Sequence, residues 1–105
     1  MKFYVAAYVG ETEQVQTLYR LIRERGHEIT VDWTDLQTDM SDDDKEAIAD
    51  RDIAGIETCD VFVLLAGQSE GRGKYVELGA AIMSNIRIGR PAVYVIGQSF
   101  HHSVF

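Results

Sequence analysis

The chain has 105 residues, the length of one domain, and its 46% hydrophobic and 26% charged residues are typical of a globular protein. Its formal net charge of -7 opposes the phosphates of DNA and RNA, so we expect no nucleic-acid polymer as a partner. Cys59 is the only cysteine, which excludes an internal disulfide and indicates a reducing, cytoplasmic compartment. No apolar run approaches the roughly 20 residues of a membrane span, so no membrane partner is expected.

The first third of the sequence predicts a strand, a helix and a second strand. Residues 2–9 (KFYVAAYV) form an apolar run that suits a strand buried on both faces of a parallel sheet, and Gly10 ends it. Residues 11–25 carry apolar side chains at helical spacing, with acids at the start and bases at the end, and Gly26 is the expected stop. Residues 28–33 (EITVDW) alternate, which predicts a strand near a sheet edge.

The middle of the chain predicts a capped helix. Ser41 is followed three residues later by Asp44, a variant of the capping box, and the helix is expected to run from Asp42 towards Glu57. Its core-facing residues are predicted to be Ala49, Ile53 and Ile56.

The last part predicts a strand, a glycine-rich loop, a helix and a fourth strand. Residues 60–66 (DVFVLLA) form the strongest strand pattern, and residues 67–73 (GQSEGRG) form the loop. Residues 74–88 predict a helix, and residues 91–96 (PAVYVI) predict the fourth strand. The inward-facing residues of that helix are predicted to be Leu78, Ile82 and Ile86.

The alternation of strands and helices predicts one α/β domain over residues 1–105. We expect a three-layer, flavodoxin- or Rossmann-like parallel sheet of four to five strands with helices on both faces. Ligands of such sheets bind at the carboxyl ends of the strands, where the strand order reverses. The loops after the first and third strands are therefore the places to expect a site.

Three side chains are candidates for chemistry. Glu77 falls near the start of the third helix, where the helix dipole is expected to keep it ionised, as attack on a sugar carbon requires. Asp52 is a candidate because of Glu77, since two carboxylates near one site can divide the nucleophilic and proton-transfer roles. The hydroxyl of Tyr4 is a candidate for orienting a carboxylate. The plainer alternatives are a dipole-matched glutamate, a polar residue of an amphipathic helix and a core aromatic.

The two loops supply candidates for substrate binding. A glycine-rich loop before a helix offers backbone N–H groups to an anion. This loop is not a Walker A sequence, because Tyr75 stands where a serine or threonine is needed, and no metal-ligand motif is present. The candidate binding residues in the loop after the first strand are Tyr8 and Gly10. Those in the loop after the third strand are Ser69, Glu70, Arg72 and Gly73.

Four motifs in order give the chain a resemblance to the nucleoside 2-deoxyribosyltransferase family and the related 2′-deoxynucleoside 5′-phosphate N-hydrolases. The resemblance extends over residues 2–97. The motifs are Tyr4 within KFYVAAYV, GHE at 26–28 leading to Asp32-Trp33, DIAGIETCD at 52–60, and YVELGAA at 75–81 followed by GRP at 89–91.

This resemblance implies cleavage or transfer of the N-glycosidic bond of a nucleoside or its 5′-monophosphate. Glu77 would attack C1′ to give a covalent glycosyl-enzyme, Asp52 would protonate the leaving base or bind the sugar, and Tyr4 would position the nucleophile. The resemblance implies no metal or organic cofactor, a small-molecule nucleoside or nucleotide as partner, and a homodimer or larger homo-oligomer.

One departure from the family pattern leaves a second function open. The transferases carry a further acid about six residues before the nucleophile, where this chain has Gly71. The alternative function is a non-catalytic nucleotide-binding sensor or regulatory module on the same scaffold.

Overall fold

The computed structural model describes residues 1–34, 41–67 and 73–97. Of the residues predicted to bind substrate, Ser69, Glu70 and Arg72 lie outside the described residues. The elements in chain order are β1 (Lys2–Ala6), a short 3-10 helix (Val9–Glu11), α1 (Thr12–Glu24), β2 (Glu28–Ile29), α2 (Asp42–Thr58), β3 (Val61–Leu65), α3 (Gly73–Ile88) and β4 (Ala92–Ile96).

The four strands described form one parallel sheet in the order β2-β1-β3-β4. The chain moves one way from β1 to β2 and the opposite way from β2 past β1 to β3 and β4. Right-handed crossovers then place α1 on one face and α2 with α3 on the other, where these two helices pack together. This arrangement confirms the predicted α/β fold. Its order reverses between β1 and β3, which marks the crevice where ligands of such sheets bind.

The two central strands supply the core. Tyr4, Val5 and Ala6 of β1 are buried, as are Phe62 and Leu64 of β3. The hydroxyl of buried Tyr19 has a polar partner, because Tyr19 Oη donates to the Val31 carbonyl at 3.2 Å. Both central strands therefore have the continuous apolar character that a sheet covered on both sides requires.

The second strand is shorter than predicted. Ladder pairing covers Glu28 and Ile29, and the Thr30 N–H still donates to the Phe3 carbonyl at 2.9 Å. Beyond it, Trp33 turns into the core and its indole Nε1 donates to the Val5 carbonyl at 2.7 Å. The Val5 carbonyl is the group that would accept a backbone hydrogen bond from a longer β2. Because the Trp33 side chain already donates to it, the strand ends before this point.

The cap of α2 is confirmed. Ser41 Oγ accepts from the Asp44 N–H at 3.2 Å, and Asp44 Oδ2 accepts from the Ser41 N–H at 3.3 Å. Such reciprocal bonds satisfy N–H groups that the helix itself leaves without partners.

The predicted inward faces of α2 and α3 were wrong in part. Ile56 is buried on α2, but Ala49 and Ile53 are exposed. On α3 the small Ala81 is buried, while Ile82 and Ile86 point outward, Ile86 with 71% of its surface exposed. Because α3 is apolar on more than one side, its spacing alone does not select the face that meets the sheet.

Asp60 ties three strands together at their amino ends. Its N–H donates to the Lys2 carbonyl at 2.7 Å, its carboxylate accepts from the Lys2 N–H at 2.8 Å, and its carbonyl accepts from the Ala92 N–H at 3.0 Å. One residue therefore aligns β1, β3 and β4. Across the described ranges, no helix is both long and apolar enough to cross a membrane.

Candidate active site

Glu77 lies in the second turn of α3, as the fifth residue of that helix. Its Oε2 atom is buried, and this burial raises the pKa of the carboxyl to about 7, with a smaller contribution from the charge of Asp52. The prediction that the helix dipole keeps it ionised is therefore corrected. The residue lies beyond the first turn, where the dipole acts, and desolvation dominates.

Tyr4 presents its hydroxyl to Glu77 from β1. Its ring is fully buried and stacks on Phe62 of β3, with ring centroids 5.7 Å apart and planes 5° from parallel. Burial and the neighbouring Glu77 raise the pKa of the phenol, so it stays protonated, and the hydroxyl in turn lowers the pKa of Glu77.

Neither Tyr4 Oη nor Glu77 Oε2 completes a hydrogen bond of standard geometry with any described residue. The two groups nevertheless affect each other, since Glu77 raises the pKa of Tyr4 and the Tyr4 hydroxyl lowers the pKa of Glu77. Hydrogen bonds of catalytic groups often tighten only when a ligand binds.

Asp52, on α2, also interacts with Glu77 and Tyr4. Burial raises the pKa of its carboxyl, while Arg51, with Nη2 3.4 Å from Asp52 Oδ1, opposes that shift. The charge of Asp52 raises the pKa of both Glu77 and Tyr4, so the three groups interact across α2, α3 and β1. The structure thus brings together the three side chains predicted to be catalytic, and their roles remain predictions.

Gly55 lets α2 approach the sheet closely enough for this. A Cβ atom at this position would lie 2.4 Å from Val31 Cγ2 and 3.3 Å from Tyr4 Cδ2. Gly55 follows Asp52 by three residues, so both lie on one helix face. Sequence reasoning missed this residue, although an isolated glycine inside a helical pattern is a signal of close packing.

The first loop places Tyr8 and Gly10 at the carboxyl edge of β1. Tyr8 is exposed, and its ring lies against Gly10, where an added Cβ would be 2.5 Å from Tyr8 Cε1. Gly73 opens α3, and a Cβ there would meet nothing within 4 Å. Substrate binding by these residues stays a prediction.

Two further residues, Glu11 and Lys74, lie at this edge. The Glu11 carboxylate packs on Gly67, where an added Cβ would lie 2.4 Å from Glu11 Oε1, so it joins the segments that follow β1 and β3. Lys74 is only 2% exposed, and its Nζ donates to the Ala66 carbonyl just after β3. The Lys74 contact attaches the start of α3, the helix that carries Glu77, to the segment just after β3.

Taken together, Glu77 and Asp52 are two carboxyl groups with raised pKa values beside a protonated phenol. Such a set supplies a nucleophile or base, a proton carrier and an orienting hydroxyl. Cys59 is buried, and burial raises the pKa of its thiol to about 11, which makes it a poor nucleophile. Within 1–34, 41–67 and 73–97, no three His, Cys, Asp or Glu residues are grouped to hold a metal ion.

Comparison with known proteins gives a match at the level of structure. The sequence matches no protein-family model and no curated protein. The structure is similar to that of the CMP N-glycosidase BcmB of Clostridium botulinum, with a TM-score of 0.68 and 16% sequence identity. The match covers 95% of this chain and 75% of that one.

The two proteins share a fold. This likeness confirms the α/β architecture expected from the sequence and agrees with the resemblance carried by the four motifs. At 16% identity it bears on architecture, and the chemistry has to be argued from the side chains.

Proposed function

We propose that this protein cleaves the N-glycosidic bond of a nucleoside or its 5′-monophosphate. The observation that carries the proposal is the buried Glu77 carboxyl, which interacts with the Tyr4 hydroxyl and the Asp52 carboxyl. These groups come from three elements around the point where the strand order reverses. The fold shared with a nucleotide N-glycosidase supports the same chemistry.

In the first step Glu77 acts as a carboxylate. One oxygen forms a bond to C1′ of the sugar while the bond from C1′ to the base nitrogen breaks, and its electron pair leaves with the base. Asp52, in its protonated form, gives its proton to the departing base. Burial raises the pKa of Asp52, which is the direction that a proton donor needs, and Glu77 has to be ionised for this step, which its pKa of about 7 permits near neutral pH and above.

In the second step water replaces Glu77 at C1′. A water oxygen bonds to C1′, the bond to Glu77 breaks, and the electron pair returns to the carboxylate. Asp52, now ionised, takes the proton of the water and is ready for another cycle. If a second base attacks instead of water, the same intermediate gives transfer. Tyr4 remains protonated throughout and holds the orientation of Glu77.

The substrate in this proposal is a small molecule, and the working unit is a homodimer or a larger homo-oligomer. The acidic surface disfavours nucleic-acid polymers. Large apolar side chains that are exposed on α2, α3 and β4 support association: Ile53, Val76, Ile82, Met83, Ile86, Ile88, Tyr94, Val95 and Ile96.

The test is release of free base from a panel of deoxynucleosides, ribonucleosides and their 5′-monophosphates, with and without an acceptor base. Glu77→Gln should reduce the rate by about a thousandfold or more, because the amide is not a nucleophile. Glu46→Gln, at an exposed position of α2, is the matched control and should leave the rate unchanged.

Release of base by the unchanged protein and not by the Glu77 variant supports the proposal. No release from folded protein across the whole panel contradicts it. In that case, retained binding of a nucleotide, followed by calorimetry, supports the sensor function instead.

A further inference from the structure

Arg51 makes a contact with Asp52 that helix geometry does not provide by default. Successive residues of a helix do not face one another. Here Arg51 Nε and Nη2 both lie 3.4 Å from the same oxygen, Asp52 Oδ1. The Arg51 side chain is 43% exposed and that of Asp52 is 16% exposed. The guanidinium therefore bends back and holds one carboxylate oxygen from the solvent side.

Among the described residues, the other groups that interact with Asp52 carry no positive charge. They are Glu77 on α3, Tyr4 on β1 and Tyr19 on α1. In the part of the chain that the structure describes, the ion pairs are Arg51–Asp52 and Arg23–Asp32, and the first alone involves a candidate catalytic residue. Within the described ranges, Arg51 is thus the cation that pairs with a candidate catalytic residue.

We propose that Arg51 is a positioning residue that fixes the orientation and the charge state of Asp52. The inference rests on the proposed function, in which Asp52 carries the proton. With Oδ1 held by the guanidinium, Oδ2 is the oxygen that exchanges a proton with the base and then with water. Burial raises the pKa of Asp52 and Arg51 lowers it, so the balance lets the group both release and regain a proton.

The experiment compares Arg51→Gln and Arg51→Lys with Arg20→Gln. Arg20 is exposed on α1, so its substitution makes the same change in net charge away from Asp52. The titration of Asp52 is followed directly by the ¹³C chemical shift of its carboxyl carbon, assigned with Asp52→Asn. Arg51→Gln should move the titration to higher pH, because a favourable charge is lost, and Arg51→Lys should restore most of the wild-type value.

The same variants are measured for base release across pH. In Arg51→Gln we expect kcat to fall about two- to fivefold with KM little changed, the size expected of a partly exposed ion pair. The limb of the pH profile that reports Asp52 should move in the same direction as the NMR titration. A merely structural role would lower stability without moving either titration.

The outcomes separate this inference from the proposed function. An active protein in which Arg51→Gln leaves the Asp52 titration and kcat unchanged overturns the role of Arg51 alone. An unchanged protein that releases no base overturns the proposed function, and with it the positioning role. A shifted titration together with reduced kcat, restored by lysine, supports the inference.

Discussion

At the scale of single residues, Glu77 places a carboxyl where its charged form is disfavoured. The pKa is raised from 4.5 to about 7, chiefly by burial. The folded chain therefore binds a proton more tightly than the unfolded chain does. The stability that this provides is fully present below pH 4.5 and is lost as the pH rises through about 7. A site that needs the anion thus loses stability at the pH where it is active.

The substitution Glu77→Gln should reverse that loss. Glutamine resembles the protonated acid, so the variant should match the wild type near pH 5 and exceed it by about 2 kcal/mol near pH 8.5. Chemical denaturation at the two pH values measures the difference. Glu46→Gln, at an exposed site, should show no such dependence on pH. Parallel stabilities of wild type and Glu77→Gln at all pH values contradict the burial argument.

At the scale of elements, the distance between α2 and the sheet is set by Gly55. The absence of a side chain there allows the helix to pack on Val31 and Tyr4. Asp52, one turn earlier, is thereby brought within range of Glu77. A shift of about 1 Å in the helix is enough to disturb such an arrangement, because catalytic geometry tolerates little displacement.

Gly55→Ala tests this packing against Gly79→Ala. The new Cβ at Gly55 would meet Val31 Cγ2 at 2.4 Å, whereas a Cβ at Gly79 would meet nothing within 4 Å. We expect Gly55→Ala to lose about 1–3 kcal/mol and most of its activity. Gly79→Ala should gain about 0.5–1 kcal/mol from helix propensity. Equal stability and activity of the two variants, measured by denaturation and base release, would show that the close approach is unimportant.

How far the sequence predicts this molecule differs between its parts. The order of strands and helices follows from alternation, which is a local property of the sequence. The grouping of Tyr4, Asp52 and Glu77 was expected from the resemblance carried by the four motifs. The end of β2 cannot be predicted in this way, because it depends on the hydrogen bond from Trp33 to the Val5 carbonyl. The inward face of α3 cannot be predicted either, because more than one side of this helix is apolar. The raised pKa of Glu77 needs three-dimensional burial, which spacing does not report.

At the scale of the whole molecule, α2, α3 and β4 carry several large apolar side chains that are exposed to solvent. Val76 and Ile86 are each at least 70% exposed, and Tyr94 and Ile96 on β4 are more than half exposed. Exposed apolar patches often mark interaction sites in soluble proteins. A second copy of the chain is the partner that the proposed oligomer requires.

Ile86→Glu should dissociate that oligomer into monomers, since a charge replaces an apolar side chain in the proposed interface. Leu21→Glu places the same substitution on the exposed part of α1 and should leave the assembly unchanged. Light scattering coupled to size-exclusion chromatography gives the mass of each. A wild-type protein that is monomeric at micromolar concentration contradicts the oligomer.

The hydrogen bonds of Asp60 have a consequence for how this scaffold accepts new sequences. They align β1, β3 and β4 at their amino ends, whereas Glu77, Tyr8 and Gly67 lie towards the opposite edge. The residue that aligns the strands and the candidate ligand-binding residues thus lie at opposite ends of the sheet. A combinatorial library that randomises the segments after β1 and β3, with Asp60 retained, should therefore contain many folded members with altered ligand preference.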